Sequence, residues 1–126
     1  MCGNAPRVRP TLYGIPNCDT VKRARAWLRD HGVEHDFHDY KKLGAPRELL
    51  AAWARRVEWE RLLNRSGSTW RKLTDAEKST AATGAGALAL MSREPSVIRR
   101  PVLDYNRGIV VGFDADAYAR LLRPPR

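Results

Sequence analysis

The chain has 126 residues, with 23 Lys or Arg against 14 Asp or Glu, for a formal net charge of +9 and a pI near 10.3. That length suits one domain burying roughly two-thirds of its unfolded surface, and an apolar fraction of 43% argues for a packed core. Two cysteines exclude a disulfide scaffold, no run approaches the ~18 apolar residues of a membrane span, and the opening MCGNAPRVRP lacks the apolar stretch of a signal peptide. A soluble protein of a reducing compartment is the expectation. The charge points to anionic partners, nucleic acid among them.

In chain order, residues 1–10 read as a flexible leader, with two prolines and little to pack. Thr11–Ile15 is a short β-type run closed by the turn residues Pro16 and Asn17. Val21, Ala24, Trp27 and Leu28 then share one helical face, and Gly32 stands where a helix C-terminus favours a left-handed residue. Alternation predicts a second strand over Val33–Tyr40. Pro46 suits a first helical turn, with Leu49, Leu50, Trp53 and Val57 at helical spacing behind it. Trp59, Leu62 and Leu63 predict another short helix, and Ser66-Gly67-Ser68 breaks the pattern. Thr74-Asp75-Ala76-Glu77 has the form of a capping box, and Ala85–Met91 predicts a further helix. The stretch of about 46–92 has too few large apolar residues for a core of its own, so it reads as an all-helical insert. Residues 101–105 and 109–113 read as a hairpin turning at Asn106-Arg107-Gly108. Asp114 caps a last helix carrying Tyr118, Leu121 and Leu122, which Pro124 and Pro125 stop, leaving 123–126 as a tail.

Strand, tight turn, Cys18, helix is an order with chemical content. The first amides of a helix lack internal partners and carry about half a positive charge together. A thiolate placed there is stabilised, and Lys22 and Arg23 add positive potential one turn on, with Asp19 opposing them locally. Spacing excludes two cysteine chemistries: Cys-x-x-Cys would need cysteine where Val21 stands, and Cys-x5-Arg would need arginine where Ala24 stands. Cys2 lies in the leader. Cys18 therefore works alone, and any disulfide cycle needs an outside thiol, for which glutathione or a glutaredoxin is the natural candidate.

The stretch TLYGIPNCDTVKRARAWLRDHGVEHDFHDYKK resembles the start of the arsenate reductase and Spx-related proteins. The segments NCDTVKRA, FHDYKK, LLNRSGSTWRKL and IRRPVL are similar to the YffB-like group within them, in the same order over about residues 11–122. The resemblance implies an α/β, thioredoxin-like domain. Its four-stranded mixed sheet would carry flanking helices, with the helical insert between the second and third strands. It matches the nucleophile to Cys18 and the basic residue a turn later to Lys22. Arg65 and Arg100 match oxyanion-binding arginines, and Pro101 matches a cis-proline close to the cysteine. Asn17, Thr20, Arg71 and Lys72 would extend the patch. A third arginine of arsenate reductases falls near Gly112, where this chain has no charge, and the Cys-x-x-Cys pair of Spx-type regulators is missing.

The resemblance implies a cytoplasmic, thiol-based reductase with glutathione as co-substrate and no tightly bound cofactor. Two alternatives are arsenate reduction coupled to glutathione and glutaredoxin, and a non-enzymatic partner of RNA polymerase. Trp53, Trp59 and Trp70 interleave with Arg55, Arg56, Arg61, Arg65 and Arg71, a pattern that superficially suits nucleic acid. Helical spacing assigns Trp53 and Trp59 to the core instead. His31, His35 and His38 share no single periodicity, so no metal site is expected from them.

Overall fold

A computed structural model of the chain describes residues 9–122. Positions 1–8, with Cys2 and most of the expected leader, and positions 123–126, with the tail and the Pro124-Pro125 stop, lie outside the described residues. Among the described residues four strands form one sheet: β1 (Thr11–Gly14), β2 (Asp36–Asp39), β3 (Val102–Asp104) and β4 (Ile109–Val111). Their spatial order is β2-β1-β3-β4. β1 runs parallel to β2, with Leu12 opposite Phe37, and antiparallel to β3, with Tyr13 opposite Val102. β3 and β4 form the hairpin, with Leu103 opposite Val110. This is the thioredoxin-like mixed sheet that the resemblance implies.

Alternation along the strands sorts side chains onto two faces. Leu12, Phe37, Leu103 and Val110 meet α1 (Asp19–Asp30) and α8 (Ala115–Leu121), where Val21, Ala24, Leu28 and Tyr118 complete one core. Tyr13, Val102, Ile109 and Val111 face the opposite way. That side is covered by the chain between β2 and β3: α2 (Tyr40–Leu43), α3 (Arg47–Ala54), α4 (Trp59–Leu62), α5 (Ser68–Lys72), α6 (Asp75–Thr80), α7 (Gly84–Arg93) and a 3-10 turn at Pro95–Val97. Tyr40, Leu50, Trp53, Leu62, Leu63, Leu90, Met91 and Ile98 are its buried anchors. Trp53 is buried and Trp59 half-buried against the same core, so both indoles serve packing.

The insert is fastened at its middle. Leu63 bridges Ile98 antiparallel, the Asn64 amide donates to the Val97 carbonyl at 2.7 Å, and the Arg99 amide donates to the Leu62 carbonyl at 2.7 Å. Arg56, in the turn after α3, reaches Asp104 on β3 at 3.2 Å.

Several boundaries differ from the sequence reading. The second strand covers only 36–39, because the Asp39 carboxylate accepts the Lys41 amide at 2.9 Å and starts α2 at Tyr40. Pro46 precedes α3 as its N-cap, and Val57 lies beyond that helix. Ser66-Gly67-Ser68 does interrupt the chain, but a single helical turn, α5, begins at Ser68. α7 starts at Gly84, capped by the Thr83 hydroxyl on the Gly86 amide at 3.1 Å. Arg9 and Pro10, read with the leader, extend the β1–β2 pairing at one end: the Pro10 carbonyl accepts the Asp36 amide at 2.9 Å, and Arg9 pairs with Asp36 at 3.4 Å.

Candidate active site

Cys18 occupies the N-cap of α1 in extended backbone, φ −147° and ψ 124°. Its carbonyl accepts the Lys22 amide at 2.9 Å, so the helix starts at this residue. Its side chain makes no capping bond. The thiol is therefore not used up as an acceptor for the first-turn amides. Cys18 is free and half-buried, lying against the core formed with α1 and α8.

Gly14, the last residue of β1, explains how the helix start comes so close to the sheet. A Cβ at this position would stand 2.8 Å from Val21 Cγ2, closer than real side chains approach. Glycine allows β1 to run directly beneath the first turn of α1.

The Arg100-Pro101 peptide is cis, as the resemblance implies. Because Tyr13 pairs with Val102 antiparallel, Pro101 falls opposite Gly14 in register, at the same end of the sheet as the turn that carries Cys18. The Pro101 carbonyl is held by the Gly112 amide at 2.7 Å, and Pro101 is buried.

The expected basic residues divide into two groups. Thr20 and Lys22 lie in the opening turns of α1, Lys22 exposed, and Asn17 immediately precedes Cys18. The Arg100 guanidinium is half-buried and donates to the Ser96 carbonyl at 3.0 Å. It also lies near Tyr40, whose hydroxyl is pushed well above its ordinary range by burial and by Tyr13, an effect that Arg100 partly offsets. The remaining expected cations belong to the insert. Arg65 is exposed with its guanidinium 5.8 Å from the centre of the Trp70 ring. Arg71 donates to the Ser66 carbonyl at 2.8 Å and so braces the loop before α5. Lys72 is exposed at the end of α5. Two cations that the sequence reading did not single out as site residues, Arg61 and Arg99, line a cleft of about 260 Å³ with Val111. In the sequence Arg61 stands out only among the arginines interleaved with tryptophan, and Arg99 only as the neighbour of Arg100.

The three histidines take separate roles. His31 Nδ1 lies 2.8 Å from the Trp27 carbonyl, His35 Nδ1 3.2 Å from the Val33 carbonyl, and His38 Nε2 2.7 Å from the Gly44 carbonyl. Among the described residues no group of three or more His, Cys, Asp or Glu is placed to hold a metal, and no helix is long and apolar enough to cross a membrane.

The ArsC family profile matches residues 13–121. The chain belongs to the ArsC family. Among solved structures it is similar to the YffB (PA3664) protein, at 49% identity and a TM-score of 0.86, over 90% of this chain and 98% of that one. A Haemophilus influenzae protein of uncharacterised function is 36% identical over 86% of this chain and 94% of its own length. The global transcriptional regulator Spx of Streptococcus pyogenes is 28% identical over 84% of this chain and 79% of its own length. The match to the YffB protein agrees with the YffB-like grouping drawn from the sequence motifs. As an ArsC-family member with Cys18 free at a helix N-cap, the chain has the arrangement of a thiol-based, arsenate reductase-like protein.

Proposed function

We propose that the protein is a glutathione-dependent thiol reductase of the cytoplasm, with Cys18 as its nucleophile. The observation that carries this reading is the free thiol at the N-cap of α1, at the sheet end where Pro101 opens β3 through a cis peptide. The first-turn amides of α1 lack internal partners and bring a partial positive charge to the start of the helix. In the forward step the Cys18 thiolate attacks the glutathione sulfur of a glutathionylated substrate. A Cys18–glutathione disulfide forms, and the substrate leaves as its thiolate. A second glutathione thiolate then attacks that disulfide, releasing oxidised glutathione and restoring the Cys18 thiolate. Val21 stands where a resolving cysteine would sit, so the second thiol comes from solution. Lys22 and Arg100 hold the carboxylates of the tripeptide, Arg65 with Arg71 and Lys72 extends the positive patch, and Asn17 and Thr20 frame the thiol. No tightly bound cofactor takes part.

Mass spectrometry tests this directly. Incubation with oxidised glutathione should add one glutathione to the protein, and Cys18→Ser should abolish the adduct. An unmodified wild-type chain, or an adduct that survives in the variant, overturns the reading.

Family membership supports a second substrate class, arsenate, with glutathione and glutaredoxin returning the thiol. One departure weighs against it: the position of the third oxyanion arginine falls near Gly112, whose backbone instead serves Pro101. Arsenate turnover in the presence of both thiols, lost in Cys18→Ser, would decide for it. Similarity to Spx supports a third reading, a non-enzymatic partner of RNA polymerase. Capture of the polymerase by immobilised protein, unchanged in Cys18→Ser, would favour that one.

A further inference from the structure

Among the described residues β4 is the outer strand of the sheet, and one of its sides has no neighbouring strand there. The hydrogen bonds around it fix which groups face that open side. The Gly112 amide donates to the Pro101 carbonyl, and the Tyr105 amide donates to the Gly108 carbonyl at 3.1 Å. In an antiparallel ladder bonded and non-bonded pairs alternate. Pairs 101/112, 103/110 and 105/108 are therefore the bonded ones, with Pro101 an acceptor only, and Val102/Val111 and Asp104/Ile109 are the non-bonded ones. The N–H and C=O groups of Ile109 and Val111 consequently point away from β3, towards the open edge. No backbone bond joins these groups to another described element.

Cations stand beside this edge. Arg61 and Arg99 line the cleft with Val111. They are brought together by the fastening of the insert, where the Arg99 amide donates to the carbonyl of Leu62. Both side chains are exposed. Arg9, Arg29, Arg56 and Arg93 each find a carboxylate. Arg61 and Arg99 have none among the described residues, although Glu58 and Glu60 are close to Arg61 in sequence. Two guanidinium forks without partners beside an unpaired strand edge are suited to an extended chain bearing carboxylates. In such a chain every second side chain lies on one face, about 6.7 Å apart. A second copy of this protein fits poorly: pairing β4 with β4 would oppose the same arginines, on a chain of net charge +9.

We propose that the open edge of β4, with Arg61 and Arg99 beside it, docks an acidic, extended segment of a partner protein as a fifth strand. Backbone pairing at Ile109 and Val111 supplies the alignment, and the two arginines select for carboxylates. The docking does not depend on Cys18 chemistry. It does lie near it, because Val111 pairs with Val102, next to Pro101.

The probe is an acetylated peptide of alternating Glu and Val, titrated into the full-length, isotope-labelled protein at low salt. The Ile109 and Val111 amide signals should shift and exchange more slowly. A Lys-Val peptide should not bind. The Glu-Val peptide N-methylated at the amides that would face β4 should lose binding. Arg61→Ala with Arg99→Ala should weaken it by about tenfold, the amide spectrum of the variant serving as the check on folding. Shifts that leave Ile109 and Val111 untouched, equal binding of the N-methylated peptide, or no binding at low salt would overturn the proposal. A dimer formed through β4, seen by light scattering, would replace the partner with a second copy. Failure of glutathione to modify Cys18 would leave all these signals unaffected, so the two readings fail separately.

Discussion

The amide of Gly112 donates to the carbonyl of Pro101 across 2.7 Å, tying the residue after β4 to the residue before β3. Gly112 makes this bond at φ +86°, where L side chains are strained. Nothing lies within 4 Å of the place a Cβ would take, so backbone conformation and not crowding demands glycine. Gly112→Ala should cost about 1–2 kcal/mol, read as a lower urea midpoint at unchanged slope. Gly112→Asn should cost less, since asparagine tolerates the left-handed region better. Equal losses in the two variants would locate the requirement elsewhere.

Gly14 makes the opposite demand. Its backbone is ordinary, but a Cβ would meet Val21 Cγ2 at 2.8 Å. Gly14→Ala should destabilise by about 1–3 kcal/mol through overpacking. Val21→Ala clears the same space at the cost of a small cavity. The double variant should therefore lose less than the two single losses together, by at least ~0.5 kcal/mol. Strict additivity would refute the close approach of β1 to α1.

The capping box of α6 sets an acid limit. The Thr74 amide donates to Glu77 Oε1 at 2.9 Å, and the Glu77 amide donates to the Thr74 hydroxyl at 3.1 Å. These contacts with Thr74, the backbone amide foremost, lower the Glu77 carboxyl from its ordinary 4.5. A carboxylate lowered in the folded state contributes stability that is present above its ordinary value and lost as pH falls through its folded one. Hydrogen exchange at the Thr74 amide should accelerate, relative to its neighbours, as pH drops below 4.5. In Glu77→Gln that extra pH dependence should vanish.

Tyr118 sets an alkaline limit by the reverse sign. It is buried between the Trp27 and Phe113 rings, 5.5 and 5.0 Å away centre to centre. Burial raises its hydroxyl above the ordinary 10.0. A tyrosine raised in the folded state leaves stability intact below that ordinary value, and stability falls as pH climbs above it towards the folded one. Tyr118→Phe should shift the alkaline unfolding midpoint upward, followed by tryptophan fluorescence. An unchanged midpoint would assign alkaline unfolding to other groups.

Where periodicity and cap chemistry agree, the sequence was a sufficient guide. The α1 face of Val21, Ala24 and Leu28, the Thr74–Glu77 box and the Asp114 cap all rest on neighbours within a few residues. Cys18 at the start of α1 was legible for the same reason, since turn residues and helical spacing meet there. The β2 boundary was not. Tyr40 continues the alternation, but the Asp39 side chain captures an amide and turns the chain into a helix. α5 was also hidden, because Ser66-Gly67-Ser68 carries the composition of a loop while its last residue opens a helical turn. The cations at the site mark the sharper limit. Whether Arg71 serves a ligand or a loop depends on the Ser66 carbonyl five residues away. Whether Arg61 and Arg99 share a cleft depends on a bridge between segments far apart in sequence. Neither relationship has a periodicity to betray it.

That bridge also shapes how the molecule opens. The chain leaves it at Asn64 and returns to it at Val97, so everything between forms an excursion closed at its own base. The two 2.7 Å bonds at that base belong to the amides of Asn64 and Arg99, and neither belongs to the sheet ladder. Residues 65–96 do not detach on loss of that base alone, because α7 packs on α3 and α4 and buries Leu90 and Met91 in the core that covers the sheet. The excursion is thus held twice, at its base by the amides of Asn64 and Arg99 and at its far side by α7, so breaking one hold leaves the other in place.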